Sequence, residues 1–375
     1  MSLIIHPFIY LILKMLPMND RIYYIDGMKG ISALGILSWH FALYTGQIYW
    51  PVNHLCSNFL TKILIDGCLV VCIFILLSGF SNALSMSRKH LNIQFVKNTI
   101  AKRYLRLAIP IAPILIIIFL MRCFGLMCNY EYAHWASWDS ATHCYNVSTM
   151  NHLLPLRLIK AILLSPMGDT TGVEMPTWML KYILIGSYIV LMLQVLTYDM
   201  RMRNKIGIAC FAMFICGYMI SPYYLPMIAG FILLIVNPYL LQTNYKYIIS
   251  IFSFGFAICC YYFIPQIKFP LNGVITAIFL FIAVMTNPIL QKILSFGLFK
   301  KLGRVSFMVY LVHMPIICSL SHFLFIHIPI NDMATLSLVV YIITTIMVII
   351  VAYFATVWIE EKLSKRIINR MLEKL

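Results

Sequence analysis

The chain has 375 residues, 62% of them hydrophobic and only 11% charged, with a mean hydropathy of +0.89, where an ordinary soluble domain carries about 25% charged residues. This composition excludes a soluble enzyme, a disordered chain and a coiled coil, and leaves an all-α polytopic membrane protein. The formal net charge of +16 would suggest a nucleic-acid partner in a soluble protein; in a membrane protein basic residues gather on the cytoplasmic side, so no nucleic acid is expected.

Apolar runs bounded by charge or by Pro, Gly and Asn punctuation predict about ten transmembrane helices. They fall near residues 28–49, 63–85, 105–126, 176–197, 206–221, 223–241, 246–264, 272–290, 305–326 and 333–358. The fifth is short and poorly separated from the sixth, so nine or eleven spans also fit. With both termini cytoplasmic, 22 of the 28 Lys and Arg fall on the inner side, and that segregation absorbs most of the excess charge. The expected organisation is an apolar, interfacial segment at 1–22, a membrane domain at 23–360 and a basic cytoplasmic tail at 361–375. For the first stretch, a true start at Met15 or Met18 competes with an interfacial helix; it lacks the basic region and cleavage site of a signal peptide.

The one long segment between spans, from Met127 to Met175, is expected outside. It is rich in aromatic residues, Trp135 and Trp138 among them, and stacked rings suit sugar faces; an interfacial aromatic belt explains them equally well. Cys128 and Cys144 could bridge in an oxidising compartment, though connectivity cannot be read from sequence. The spacing of His134, His143 and Cys144 fits no compact zinc site, so no metal is expected.

Ionisable groups inside spans are functional candidates by default. In the first span Lys29 and His40 are eleven residues apart, about three helical turns and ~16 Å, and so share a face. A lone intramembrane His is more often packed and hydrogen-bonded; its functional reading is a general base titrating near neutrality. Asp26, before Gly27, reads as a helix N-cap at a flexible turn. Arg103 and Arg106, three apart and preceded by Lys102, form a fork suited to phosphate, although alone they read as a topology signal. His313 stands nine residues beyond Arg304 in the ninth span, again above a basic rim. Ser78-Gly79 in the second span permits close helix approach.

Taken in order, these segments resemble the acyltransferase 3 family of integral membrane acyltransferases. DGMKGISALGILSWH, from Asp26 to His40, follows the family's first-helix pattern with the basic-residue-to-His spacing intact. FILLSGF from Phe74 to Phe80, Arg103-x-x-Arg106-Leu107 with Pro110, Trp178 with Gly186-Ser187, and LGRVSFMVYLVHMP from Leu302 to Pro315 match the later motifs. The resemblance implies transfer of an acyl group, usually acetyl from cytoplasmic acetyl-CoA used as a substrate with no bound cofactor, to a hydroxyl of a lipid-linked or secreted glycan at the cell (inner or plasma) membrane. It makes His40 the catalytic His, with Lys29 in place of the family's Arg, Arg103 and Arg106 with Lys102 as the acyl-CoA-binding cluster, and Asp26, Ser78, Trp178 and His313 as supporting residues. Two departures stand out. Lys29 keeps the charge but lacks the planar fork of Arg, and Ile183 stands where the family carries a Glu, with Glu174 the nearest replacement.

The expected mechanism has His40 deprotonate the acceptor hydroxyl, or else carry the acyl group itself. The competing reading is a transporter or flippase with His40 and His313 as proton relay in contact with membrane lipid, or a catalytically degenerate family member.

Overall fold

A computed structural model describes residues 22–46, 63, 65–87, 92–143, 154–168, 177–264 and 271–373. Among them the regular elements are all helical. We number the helices α1 Tyr23–Thr45, α2 Gly67–Ser87, α3 Ile93–Cys123, α4 Asn129–Ala136, α5 Leu154–Leu164, α6 Trp178–Leu196, α7 Met202–Ile220, α8 Tyr224–Gln242, α9 Lys246–Phe263, α10 Leu271–Met285, α11 Pro288–Leu294, α12 Gly297–His327 and α13 Met333–Leu372. Eight of these, α2, α3, α6 to α9, α12 and α13, are long and apolar enough to cross a membrane, and a ninth if α10 and α11 count as one bent span. At 23 residues α1 is also long enough to span, but its Asp, Lys, Gly and Ser residues hold its hydropathy below that of the others. The apolar segment at 1–22 lies almost wholly outside the described residues.

Each expected span has a helix, and the boundaries differ for identifiable reasons. The first begins five residues earlier, so Asp26 is not an N-cap: Ile22 occupies that position, and Asp26 sits buried in the first turn, where a carboxylate complements the helix dipole. Gly27 is a packing residue, since a Cβ there would overlap the Leu294 carbonyl. The eighth span is not continuous. It bends by 99° between α10 and α11, because Asn287 Oδ1 accepts from the amides of Ile289 and Leu290 and Pro288 opens the new helix. In α12 a π-helical turn at Ile317–Ser321 follows Pro315, as expected where a proline removes a helical donor. The last helix runs on through a π-helical stretch, Thr356–Ser364, to Leu372; the described part of the basic tail is its final turns.

Lipid tails are as apolar as Leu, so helices in a bilayer associate through close packing, and small residues let their backbones meet. The most extensive pairing joins α1 to α12. There a Cβ on Gly30 would collide with Gly303 and one on Gly303 with the Asp26 backbone. Gly79 of α2 lies in the same way against Met227 of α8, and Gly230 against Leu76, which accounts for the small residues of the LLSGF motif.

The segment after α3 divides. Its first part caps the ends of α1 and α12. Tyr132 is fully buried, donates to the Thr45 carbonyl at 2.5 Å and stacks on His322, while Trp138 Nε1 donates to the Leu43 carbonyl at 3.0 Å. Tyr132 and Trp138 are therefore anchors, and Trp135 stays exposed. The later part packs back along the bundle: Tyr104 of α3 donates to the carbonyl of Leu163 in α5 at 2.6 Å, so this helix lies level with the part of α3 that carries Arg103. Cys144 and Glu174 lie outside the described residues.

Candidate active site

Helices α1, α2, α6 and α12 line two neighbouring cavities, and α3 and α13 complete the wall of the larger. The larger has a volume of about 600 Å³, the smaller about 150 Å³. Along α2 the wall of the larger runs from Ser85 through Asn82, Ser81 and Ser78 to Phe74, and that of the smaller continues with Val71, Cys68 and Gly67. Phe74 and Val71 are three residues, about 4.5 Å, apart along the axis. On α6, Ser187, Ile183 and Met179 descend one face at four-residue spacing, and on α1 Lys29 serves the larger cavity while Ile36, Trp39 and His40 serve the smaller. Met179 and Tyr310 line both. The two spaces adjoin at those side chains, which form the constriction between them.

The larger cavity is cationic at the end far from the constriction. Lys29 Nζ donates to Ser81 Oγ at 3.4 Å and an Arg103 guanidinium nitrogen to Ser85 Oγ at 3.4 Å, with Arg106 on the same wall. Both serines pass their own protons to backbone carbonyls, those of Leu77 and Asn82, and so present lone pairs to the cations. Opposite, Arg304 makes a two-pronged pair with Glu361 at 2.8 and 2.6 Å. Glu361 thereby neutralises Arg304; with Lys365 opposed by Asp26 and Glu360, the lining as a whole holds five basic and three acidic residues and is net positive. Three cations converging on one concave surface suit a phosphorylated ligand.

At the smaller cavity the chemistry is an imidazole pair. His313, fully buried on α12, places Nε2 2.8 Å from Nδ1 of His40, and its Nδ1 lies 3.1 Å from the Val309 carbonyl. A carbonyl can only accept, so Nδ1 of a neutral His313 carries the proton and its Nε2 is the acceptor. His40 must then donate from Nδ1, which leaves its Nε2 with a free lone pair. The ring of His40 itself lines the smaller cavity beside Trp39, Trp178, Tyr223 and Cys68. The backbone of α12 thus fixes which nitrogen of His40 is basic, a device for holding a general base in one tautomer.

The acyltransferase 3 family model, described as an acyltransferase domain, matches residues 22–357. The chain belongs to this family. No curated protein and no solved structure matches it. As a member of the family it is a multi-pass membrane acyltransferase.

Within this acyltransferase the residues singled out from sequence do not all gather at one point. His40 and His313 touch. Lys29 shares the face of His40 but lies about 16 Å along α1, in the other cavity with Asp26, Ser78, Arg103 and Arg106. Trp178 joins His40, packed edge-to-face on Tyr223 at 5.1 Å. Lys102, adjacent to Arg103, is exposed and off the cavity wall. Ile183 sets hydrocarbon into the larger cavity where the family carries its Glu. Sequence reasoning missed Tyr310 and Met179 at the constriction, and Cys68 and Tyr223 beside His40. Tyr310 stands one helical turn before His313, within the late motif, and that spacing was an available signal; Cys68 and Tyr223 carried none. Among the described residues no cluster could hold a metal ion.

Proposed function

We propose that this membrane acyltransferase moves an acetyl or similarly short acyl group from cytoplasmic acyl-CoA to a hydroxyl of a lipid-linked or secreted glycan. Its setting is the cell (inner or plasma) membrane, with both termini cytoplasmic. One observation carries the reading: His40, tautomer-locked by His313, faces a small aromatic cavity one constriction away from a larger cavity lined by Lys29, Arg103 and Arg106.

In this mechanism the three cations bind the phosphates of CoA at the inner surface, where Lys102 adds to the local positive potential. The thioester reaches the constriction at Met179 and Tyr310. The acceptor enters the smaller cavity, whose Trp39, Trp178 and Tyr223 offer ring faces to a sugar. His40 Nε2 takes the hydroxyl proton, the oxygen attacks the thioester carbonyl, and the tetrahedral intermediate expels the CoA thiolate, which receives the proton from His40. Lys29 belongs with the phosphate-binding group in this scheme, because three turns of helix separate it from the reacting atoms.

The test is transfer of labelled acetyl from acetyl-CoA to envelope glycan in membranes containing the parent or His40→Ala. Labelling of glycan by the parent, lost in the variant, is expected; equal labelling in both would overturn the role of His40, and none in the parent would overturn the donor assignment.

A further inference from the structure

The two side chains that form the constriction are not equivalent. Met179 and Tyr310 each line both cavities, and each is 3% exposed. Tyr310 stands one helical turn before His313 on α12, and its ring centre lies 6.1 Å from that imidazole, so the ring cannot move aside without disturbing the partner of His40. Met179 comes from α6, next to Trp178, whose ring packs edge-to-face on Tyr223 at 5.1 Å. Its side chain is an unbranched thioether that fills space and has no strong hydrogen bond to satisfy. The width of the opening is therefore set by Met179.

The reaction decides what has to fit there. The thioester carbonyl carbon must come within about 3–3.5 Å of the acceptor oxygen, which itself lies a hydrogen bond from His40, and His40 lines the smaller cavity. The sulfur of CoA then trails through the constriction. The rest of the acyl group has two places to go: forward into the smaller cavity, or back beside the sulfur past Met179. The smaller cavity measures about 150 Å³, below the ~300 Å³ at which pockets begin to take a whole small ligand, and the reacting end of the acceptor has to enter it too. A longer acyl tail competes with the acceptor for that space, and its other exit is closed by Met179.

We propose that Met179 sets the length of the acyl group, barring tails longer than that of acetyl by filling the space beside the thioester at the constriction. This rests on the acyl-CoA reading above and names the residue that selects among donors of that class.

The experiment measures transfer of labelled acyl groups to envelope glycan from acetyl-, butyryl- and hexanoyl-CoA, by full-length protein in membranes, for the parent, Met179→Ala, Met179→Val and Ile183→Ala. One extra methylene against a fixed apolar wall is worth about 10- to 200-fold in kcat/KM, so the parent should favour acetyl over butyryl by about 100-fold or more. Met179→Ala should cut that ratio by about tenfold or more, through faster turnover of butyryl-CoA, while the KM for acetyl-CoA stays near the parental value because the phosphate-binding cations are untouched. Met179→Val shortens the side chain less and should move the ratio the same way by a smaller factor; it decides where the Ala variant, which empties a buried site, does not fold. Ile183→Ala, one turn along α6 and on the wall of the larger cavity alone, should leave the ratio at its parental value. A parent that uses butyryl-CoA as readily as acetyl-CoA, a ratio unchanged in the Met179 variants, or an equal change in Ile183→Ala would overturn the proposal and leave the acyl-CoA reading standing. No turnover of any of the three donors in the parent would overturn that reading and this proposal with it.

Discussion

The pairing of His40 with His313 can be tested apart from the base itself. In His313→Ala the Nδ1–H of His40 loses its imidazole acceptor at 2.8 Å and keeps only the backbone of Ile36, the ring is held by one partner fewer, and the tautomer with the proton on Nε2, which cannot act as a base, becomes more accessible. Losing the partner of a buried donor costs about 1–3 kcal/mol. At about 1.4 kcal/mol per factor of ten, kcat should fall roughly 5- to 150-fold. His40→Ala, which removes the base, should cost about 10²–10⁴. His313→Gln restores an acceptor, since its side-chain oxygen can take the His40 proton while its amide N–H₂ faces the Val309 carbonyl, so it should keep a large part of the activity that Ala loses. The assay is steady-state acetyl transfer at saturating acetyl-CoA, with KM measured alongside. Because His313 lines neither cavity, KM for acetyl-CoA should stay put. Parental kcat in His313→Ala would refute the tautomer argument, and equal losses in Gln and Ala would reduce His313 to a space-filling residue.

Other outcomes follow from the same geometry. Arg103→Ala should raise the KM for acetyl-CoA about 10- to 100-fold, the worth of a charge-assisted hydrogen bond, with partial rescue at high donor concentration. Lys29→Ala should act in the same way, on KM more than kcat, whereas a side chain working beside His40 would show the opposite split. Glu361→Gln should change the detergent melting temperature little, since a pair whose side chains are 42% and 31% exposed contributes at most about 1 kcal/mol. Gly303→Ala should destabilise by roughly 1–3 kcal/mol, because its Cβ would overlap the Asp26 backbone. Gly207→Ala, with nothing near the new methyl, should leave stability level or raise it by about 1 kcal/mol. Thermal unfolding of the purified variants compares the pair.

How much of this was legible in the sequence depended on whether the signal was local. Hydropathy located a helix for every expected span, and fixed offsets within one helix, Lys29 to His40 or Arg103 to Arg106, gave the right shared faces. What failed was what one helix cannot report. The 272–290 run is apolar throughout and reads as one span, yet Asn287-Pro288 satisfies a new helix start and breaks it; the dipeptide was visible and hydropathy outweighed it. Asp26-Gly27 looked like a cap because Gly is common at turns, whereas its neighbour across the interface, Leu294, is what requires it. The contact of His40 with His313 joins residues 273 positions apart, and the family resemblance named both without placing them together. Trp138 read as a sugar platform or an interfacial ring alike, but its indole N–H is committed to the Leu43 carbonyl, a partner that no local pattern signals.

The division of the site into two cavities bears on why the proposed reaction needs ten or so helices at all. CoA carries several charges, and placing even one within a bilayer is costly. In the proposed arrangement none has to enter: the phosphates stop at Lys29, Arg103 and Arg106, the uncharged arm runs on past Ser78 toward the constriction, and only the acyl group passes Met179 and Tyr310. The acceptor's hydroxyl meets it from the other side. A charged group at the constriction would defeat that economy, which gives physical sense to its lining by Phe74, Met179, Tyr310 and Val71. On the same reasoning Ile183, between Met179 and Ser187 on the wall of the larger cavity, is a tolerable replacement for a carboxylate: it removes a negative charge from the path of an anionic donor, and the proposed mechanism assigns the proton transfer to His40, held by His313, beyond the constriction.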